Sequence, residues 1–449
     1  MMPEFLGVPL RFFLGAFPAS PARISLASRA FFGGAGFDEA SFVVLIVRSP
    51  FVAGLLSRRA CQDRAPQEKP MTDARLALAD GTVLRGRSVG AAGTVAGEAV
   101  FNTGMAGYQE VLSDPSYRGQ LVTMTYPEVG NYGINLADME SDRVQVAGFI
   151  MRNCCQQPSN FRAESSLPDF LREHGIVAID DIDTRLVTKR LRVDGAMNAV
   201  LSTDASLSDA QLVEQARGCP DMLGQDLASA VGCSEAYDWT EASAVESFGP
   251  DLTWPPLEDE ALVVAIDLGI KRNILRLLRA CGLRVRVVPA QTPASEILAL
   301  QPAGIFVSNG PGDPAPLQAV HETLRQLIDA DLPMFGICLG HQVLALALGA
   351  KSFKLKFGHR GVNHPIQRLA NGAVEIASHN HGFAVDADSL PAEVELTHVN
   401  LNDGTCAGLA HRSKPIFSVQ YHPEAGPGPS DPLYLFRQFA DSIRSHCSA

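Results

Sequence analysis

Gly336-Ile337-Cys338-Leu339-Gly340-His341-Gln342 is the stretch on which the fold of this chain turns. It follows the apolar run LPMF (332–335) and opens into QVLALALGA (342–350), so a strand passes directly into a helix with the cysteine at the join. Glycines on either side permit a tight turn, the geometry of a nucleophile elbow with sulfur in place of a hydroxyl. A cysteine attacks a carbonyl only as the thiolate, and the unpaired N–H groups where a helix begins favour that charge. The amide of Leu339, just after the cysteine, is placed to donate to a developing oxyanion.

Outward from this turn, strand and helix alternate. ALVVAIDLG (261–269), LRVRVVPA (283–290) and AGIFVSNGPG (303–312) read as strands; KRNILRLLRACG (271–282), TPASEILAL (292–300) and LQAVHETLRQLIDA (317–330) read as helices. The expected fold is α/β, a mostly parallel sheet flanked by helices, with its functional loops at strand C-termini. Beyond residue 350 the sheet is expected to continue through shorter strands, and LYLFRQFADSIRSH (433–446) closes the chain as a helix. The loop Ser308-Asn309-Gly310-Pro311-Gly312-Asp313-Pro314 lies at a strand end beside Cys338, where its glycines let backbone approach a ligand and supply a second oxyanion donor. It lacks the GK[ST] ending of a phosphate loop.

Far downstream stands Gln420-Tyr421-His422-Pro423-Glu424. His422 is the candidate base for the Cys338 thiol, and Glu424 the carboxylate that orients it. A lone buried cysteine is usually an inert hydrophobe, and a lone His-x-Glu usually surface decoration. Both at strand ends, in nucleophile-then-base order, point to a Cys-His-Glu catalytic set.

The remainder of the chain sets bounds. With 46% hydrophobic and 19% charged residues it is globular in composition, and its net charge of −12 argues against nucleic-acid binding. Nine cysteines without a CxxC pair form neither a disulfide framework nor a zinc framework, and no metal-ligand set is read. A reducing compartment follows, with a cytoplasmic setting expected. Residues 1–70 carry a net +3; FVVLIV (42–47) is cut by Arg48 and Pro50, too short to span a bilayer. This leader is read as a disordered extension or a misplaced start, with organelle targeting as the less favoured reading. Residues 71–221 are expected to form a strand-rich α+β domain, with strands at ARLALA, GTVLRG, EAVFNT, QLVTMTY and VQVAGFIM and a helix at SLPDFLREHG. Residues 222–260, acidic and carrying Pro255-Pro256, read as a linker or edge hairpin before the sheet domain at 261–446.

GICLGHQ, SNGPGDP and QYHPEA together resemble the class I glutamine amidotransferase domain. FNTGMAGYQEVLSDPSYRGQLVTMTYPEVGNYGIN, SNFRAESSLPDFLREHGIVAIDDIDTR and FGHRGVNHP narrow the resemblance to the small chain of carbamoyl-phosphate synthase, over about residues 71–445. The resemblance implies hydrolysis of L-glutamine through a Cys338 thioester, with His422 as base and Glu424 as its orienter. It implies glutamine contacts from Ser116, Gly310, Gly312, Leu339, Gln342, Asn380, Gly382 and Phe383. His341 and His381 are left structural or one layer back. Gly426 departs from the serine more usual after the HPEA motif, away from any catalytic atom. No cofactor is implied in this chain; ATP, bicarbonate and Mg belong to a large synthetase chain, the expected partner in a heterodimer or higher assembly. Two alternatives stay open: a non-catalytic regulatory scaffold of that large chain, and an amidotransferase subunit of a different synthetase. The strand-rich domain speaks against the second, and the intact Cys-His-Glu set against the first.

Overall fold

A computed structural model describes residues 73–241 and 261–448. The leader assigned to residues 1–70, and residues 242–260 of the expected linker, lie outside the described residues.

The N-terminal half forms a closed seven-stranded barrel. Its elements, in chain order, are β1 (Asp73–Leu78), β2 (Val83–Ser88), β3 (Thr94–Asn102), α1 (Tyr108–Ser113), β4 (Gln120–Met124), β5 (Glu128–Val129), β6 (Gly148–Ile150), β7 (Asn153–Cys154), α2 (Leu167–Glu173), β8 (Val177–Asp180), α3 (Thr184–Asp194), β9 (Met197–Ser202) and α4 (Asp209–Gly218). The barrel closes in the order β1-β2-β8-β6-β4-β3-β9, with β3, β4, β6 and β8 mutually parallel and the rest antiparallel. Alternation along β1 explains the layering: Leu76 and Leu78 join one apolar cluster with Val187 and Leu191 of α3, while Ala77 turns to Leu212 and Ala216 of α4. Closure leaves the barrel without free edges.

The second half continues as β10 (Tyr237–Trp239), β11 (Leu262–Asp267), α5 (Arg272–Ala280), β12 (Arg284–Pro289), α6 (Ala294–Ala299), β13 (Gly304–Val307), α7 (Gln318–Asp329), β14 (Met334–Ile337), α8 (Leu339–Ala347), β15 (Ser352–Arg368), β16 (Val374–Val385), β17 (Val394–Asn400), β18 (Cys406–His411), β19 (Ile416–Val419) and α9 (Tyr434–Cys447). They build a sheet in the order β10-β12-β11-β13-β14-β19-β18-β17-β15-β16. The central run β12-β11-β13-β14-β19 is parallel, and antiparallel strands extend it on both sides. Parallel strands are buried on both faces, and β11 shows how: Val263 and Ala265 pack with α5 and α9, Val264 and Ile266 with α6, α7 and α8. Helices therefore cover both faces.

One segment gains detail beyond the sequence reading and another differs from it. Within residues 222–241 the chain adds β10 to the sheet edge, antiparallel to β12. Of the strands after residue 350 the first two are long, β15 running 17 residues and β16 12, while β17, β18 and β19 are short. The apolar alternation of the long pair is broken by irregularities in the β15–β16 register between Lys354 and His359 and between Gly361 and His364, so no continuous period is visible in the sequence.

Candidate active site

β14 ends at Ile337 and α8 begins at Leu339, leaving Cys338 alone at the join with φ 55° and ψ −104°. A positive φ in a residue with a Cβ is strained, and such strain is held where surrounding structure over-determines it. Here the determinant is close packing: a Cβ on Gly340 would meet the Val307 carbonyl oxygen at 2.1 Å, so the helix can start this near β13 only with glycine. Cys338 is buried, its N–H held by the Val419 carbonyl at 2.9 Å and its Sγ 3.5 Å from the Asn380 carbonyl oxygen. As the first residues of α8, Leu339 and its neighbours have N–H groups with no partner one turn back.

His422 follows β19 and is fixed by its N–H to the Ser378 carbonyl of β16, at 2.8 Å. Its Nδ1 lies 2.7 Å from Glu424 Oε1. The same oxygen accepts from Lys271 Nζ at 2.9 Å, and Lys271 also donates to the Ala425 carbonyl at 2.6 Å. All three side chains are buried. Burial alone would push His422 down; the Glu424 carboxylate and then Cys338 overcome it and lift the imidazole to about 10. Burial would likewise raise Glu424, but Lys271 and His422 draw it down to about 2. Lys271 is itself raised, Glu424 first and Glu140 next outweighing burial. At neutral pH the line therefore reads ammonium, carboxylate, imidazolium, with the buried His422 Nε2 making no ordinary hydrogen bond and interacting with the Cys338 thiol.

A small cavity opens on Cys338. Of the residues expected to meet glutamine, Ser116, Gly310, Gly312, Leu339, Gln342, Asn380 and Gly382 line it. Phe383 does not; its carbonyl instead accepts from Gln342 Nε2 at 2.7 Å. The second Gln342 amide hydrogen goes to Gln420 Oε1 at 3.0 Å, which leaves only its oxygen for a ligand. Ser116 comes from the barrel half and is tied to the sheet half by Asn309 Nδ2, 3.0 Å from its Oγ. Asn380 is tied back the same way, donating to Asp114 Oδ2 at 2.8 Å. His341 faces away, bonded to Ser418 Oγ at 2.9 Å and held by burial near 3, so it is a neutral structural group.

Sequence reasoning missed Lys271, Gln120, Met222 and Arg360, of which the last three line the cavity. Lys271 stands in the loop after a parallel strand, a position that carries function in this architecture, and that was the available signal. Arg360 is buried; its Nη1 donates to the Phe357 carbonyl at 2.9 Å and its Nε has no partner. Among the described residues no carboxylate lies within ion-pair distance of it. Glu98, the carboxylate that acts on it most strongly, is bound to Lys354 at 2.9 Å.

These features define a class. The family model for glutamine amidotransferase class-I matches residues 264–442, and that for the carbamoyl-phosphate synthase small chain, CPSase domain, matches residues 76–201. The chain is 56% identical to the carbamoyl phosphate synthase small chain of Thermosynechococcus vestitus, over 84% of this chain and 97% of that one. It is 55% identical to the small chain of a Nostoc species, again over 84% and 97%. The chain belongs to the carbamoyl-phosphate synthase small chain family. Among solved structures, a glutamine amidotransferase from Thermotoga maritima is a distant likeness, 16% identical over 42% of this chain and 85% of that one, at a TM-score of 0.31.

Proposed function

We propose that this chain hydrolyses the side-chain amide of L-glutamine at Cys338 and delivers the ammonia to a large synthetase chain that makes carbamoyl phosphate. The observation that carries this reading is the buried line Lys271–Glu424–His422 ending on a cysteine held in a strained strand-to-helix turn.

The Cys338 thiolate adds to the amide carbon of glutamine, and the carbonyl oxygen takes the negative charge, facing the N–H groups of Leu339 and Gly310. His422, already carrying its proton, gives it from Nε2 to the departing nitrogen, and ammonia leaves a thioester. Water then adds to the thioester while His422 Nε2 takes its proton. The second tetrahedral species expels the sulfur and glutamate is released. Glu424 holds His422 in position and offsets its charge, and Lys271 holds Glu424. The zwitterionic substrate also brings a carboxylate, and Arg360, buried without a counter-ion, is the group in the cavity suited to receive it. ATP, bicarbonate and Mg2+ are then used by the large chain. Eight described cysteines, all unpaired, suit a reducing cytoplasm, and no described helix is long and apolar enough to cross a membrane.

The test is glutaminase activity of the purified chain, alone and with a large synthetase chain, ATP and bicarbonate. Stimulation by the partner with carbamoyl phosphate formed supports the reading; indifference to the partner overturns the assignment to this synthetase. Cys338→Ala is expected to abolish synthesis from glutamine and spare synthesis from free ammonia. Loss of both would make Cys338 a structural residue.

A further inference from the structure

Behind the strand that carries Asn380, four imidazoles share one face of the β15–β16 ladder. His359 pairs with His381 across the ladder, and His379 lies two residues before His381, so these three point the same way. His364 is five residues after His359 and in an unbroken strand would face the other side. The register irregularity between Gly361 and His364 reverses that parity, placing His364 opposite Ala377 and hence on the face of His379. One ring nitrogen from each of His359, His364 and His379 lies within 4.8 Å of the others.

The hydrogen bonds around these rings fix which nitrogens carry lone pairs. His381 Nδ1 lies 2.7 Å from the Phe383 carbonyl, which can only accept, so its Nε2 is bare. His379 Nδ1, 3.0 Å from that Nε2, must be the donor. His379 Nε2 is therefore a bare acceptor, and it is fully buried without a partner. His359 Nε2 donates to Asp403 Oδ2 at 2.8 Å, which leaves its Nδ1 bare. His364 Nδ1 faces the amide nitrogens of Asn402 and Asn400 at 3.3 and 3.4 Å, so it too accepts. Asn400 is also 3.5 Å from His359 Nδ1. These contacts are long for hydrogen bonds, so a cation that replaces them displaces little.

We propose that His359, His364 and His379 form a binding site for a divalent transition-metal ion of the zinc type. Three neutral imidazoles with the fourth position left to solvent suit Zn2+ or Co2+ and not the oxygen-seeking Mg2+ or Ca2+. Asp403 on His359 and the Phe383 carbonyl, through His381, on His379 are the outer groups that orient such ligands. Zn–N bonds of about 2.1 Å require the nitrogens to close by roughly 1 to 1.5 Å, within the reach of side-chain rotation. His364 is only half-buried, which gives an ion its way in. A bound ion ties β15 to β16 next to Asn380 and His381, both at the wall of the cavity.

The test is titration of the full chain, stripped by a chelator, with Co2+ followed by visible absorption and then by competition with Zn2+. One equivalent giving the spectrum of a four-coordinate nitrogen site, displaced by one equivalent of Zn2+, is expected. His379→Gln should abolish that spectrum, and Asp403→Asn, at a half-exposed outer position, should weaken binding by about 10- to 100-fold. No stoichiometric binding, a six-coordinate spectrum, or binding unchanged in both variants would overturn the site. Should His379→Gln fail to fold, Asp403→Asn and His364→Gln decide the matter by the same readout.

Discussion

Lys271 reaches the proposed site through the carboxylate that faces His422. It and Glu424 are buried together, and a buried pair broken on one side leaves an uncompensated charge. Lys271→Met is expected to cost about 3–5 kcal/mol of stability, read as a lowered Cm in urea, and to depress glutaminase turnover. A stable variant with normal turnover would sever Lys271 from the site. The sign of the pH dependence follows from the same line. His422 is raised from 6.5 to about 10, so its share of stability is full below about pH 6.5 and is lost as pH climbs through 10. Glu424 is lowered from 4.5 to about 2, so its share holds above about pH 4.5 and is lost as pH falls through 2. The melting-temperature gap between wild type and His422→Asn should therefore be widest between pH 4.5 and 6.5 and narrow towards 10; a gap that widens above neutrality would contradict the imidazolium. Arg360→Gln, in turn, should raise the KM for glutamine by about 10- to 150-fold, as expected for a lost charged hydrogen bond, while ammonia-dependent synthesis persists. An unchanged KM would mean that the guanidinium does not meet the substrate carboxylate. None of these roles for Lys271 or Arg360 is legible in the sequence, because each depends on which groups lie beside it across 150 residues or across a ladder. That Cys338, His422 and Glu424 would be brought together was legible, because strand ends and glycines announced them.

At the scale of elements, periodicity read well wherever a strand or helix had one regular face. α5 and α7 bury one stripe each, and β11, β13 and β14 are nearly continuous apolar runs. It failed at β15 and β16, where two irregularities shift the parity and a reader sees short strands in place of a long ribbon. The elbow is the element with least tolerance. Gly340→Ala drives a Cβ into the Val307 carbonyl backbone, which no side-chain rotation relieves, so loss of glutaminase with a lowered melting temperature is expected. A fully active, equally stable Gly340→Ala would show that the close approach of α8 to β13 is dispensable. By contrast, Ser208 and Gln211 form a reciprocal capping box at the start of α4, and neither lines the cavity. Ser208→Ala should cost about 1 kcal/mol of stability and leave glutamine turnover untouched.

At the scale of the whole molecule, the site belongs to neither half alone. Asp114, in the turn after α1, receives Asn380 of β16, and Ser116 two residues on receives Asn309 of the SNGPGDP loop. The Asp114 carboxylate also accepts from the Ser116 N–H at 2.9 Å, so one barrel side chain sets the position of one cavity residue and holds another. That dependence gives the barrel a part in shaping the cavity, and it is why Ser116 in the sequence alone looks like a turn residue. It also yields a measurable coupling. Asp114→Ala, Asn380→Ala and the double variant should give non-additive losses in kcat/KM for glutamine, with an interaction energy of about 1–3 kcal/mol. Additive losses would mean that the barrel and the sheet contribute to the cavity independently. A coupling confined to stability, with kcat/KM additive, would make the Asp114–Asn380 bond a fastening between the halves and not part of how the cavity is shaped.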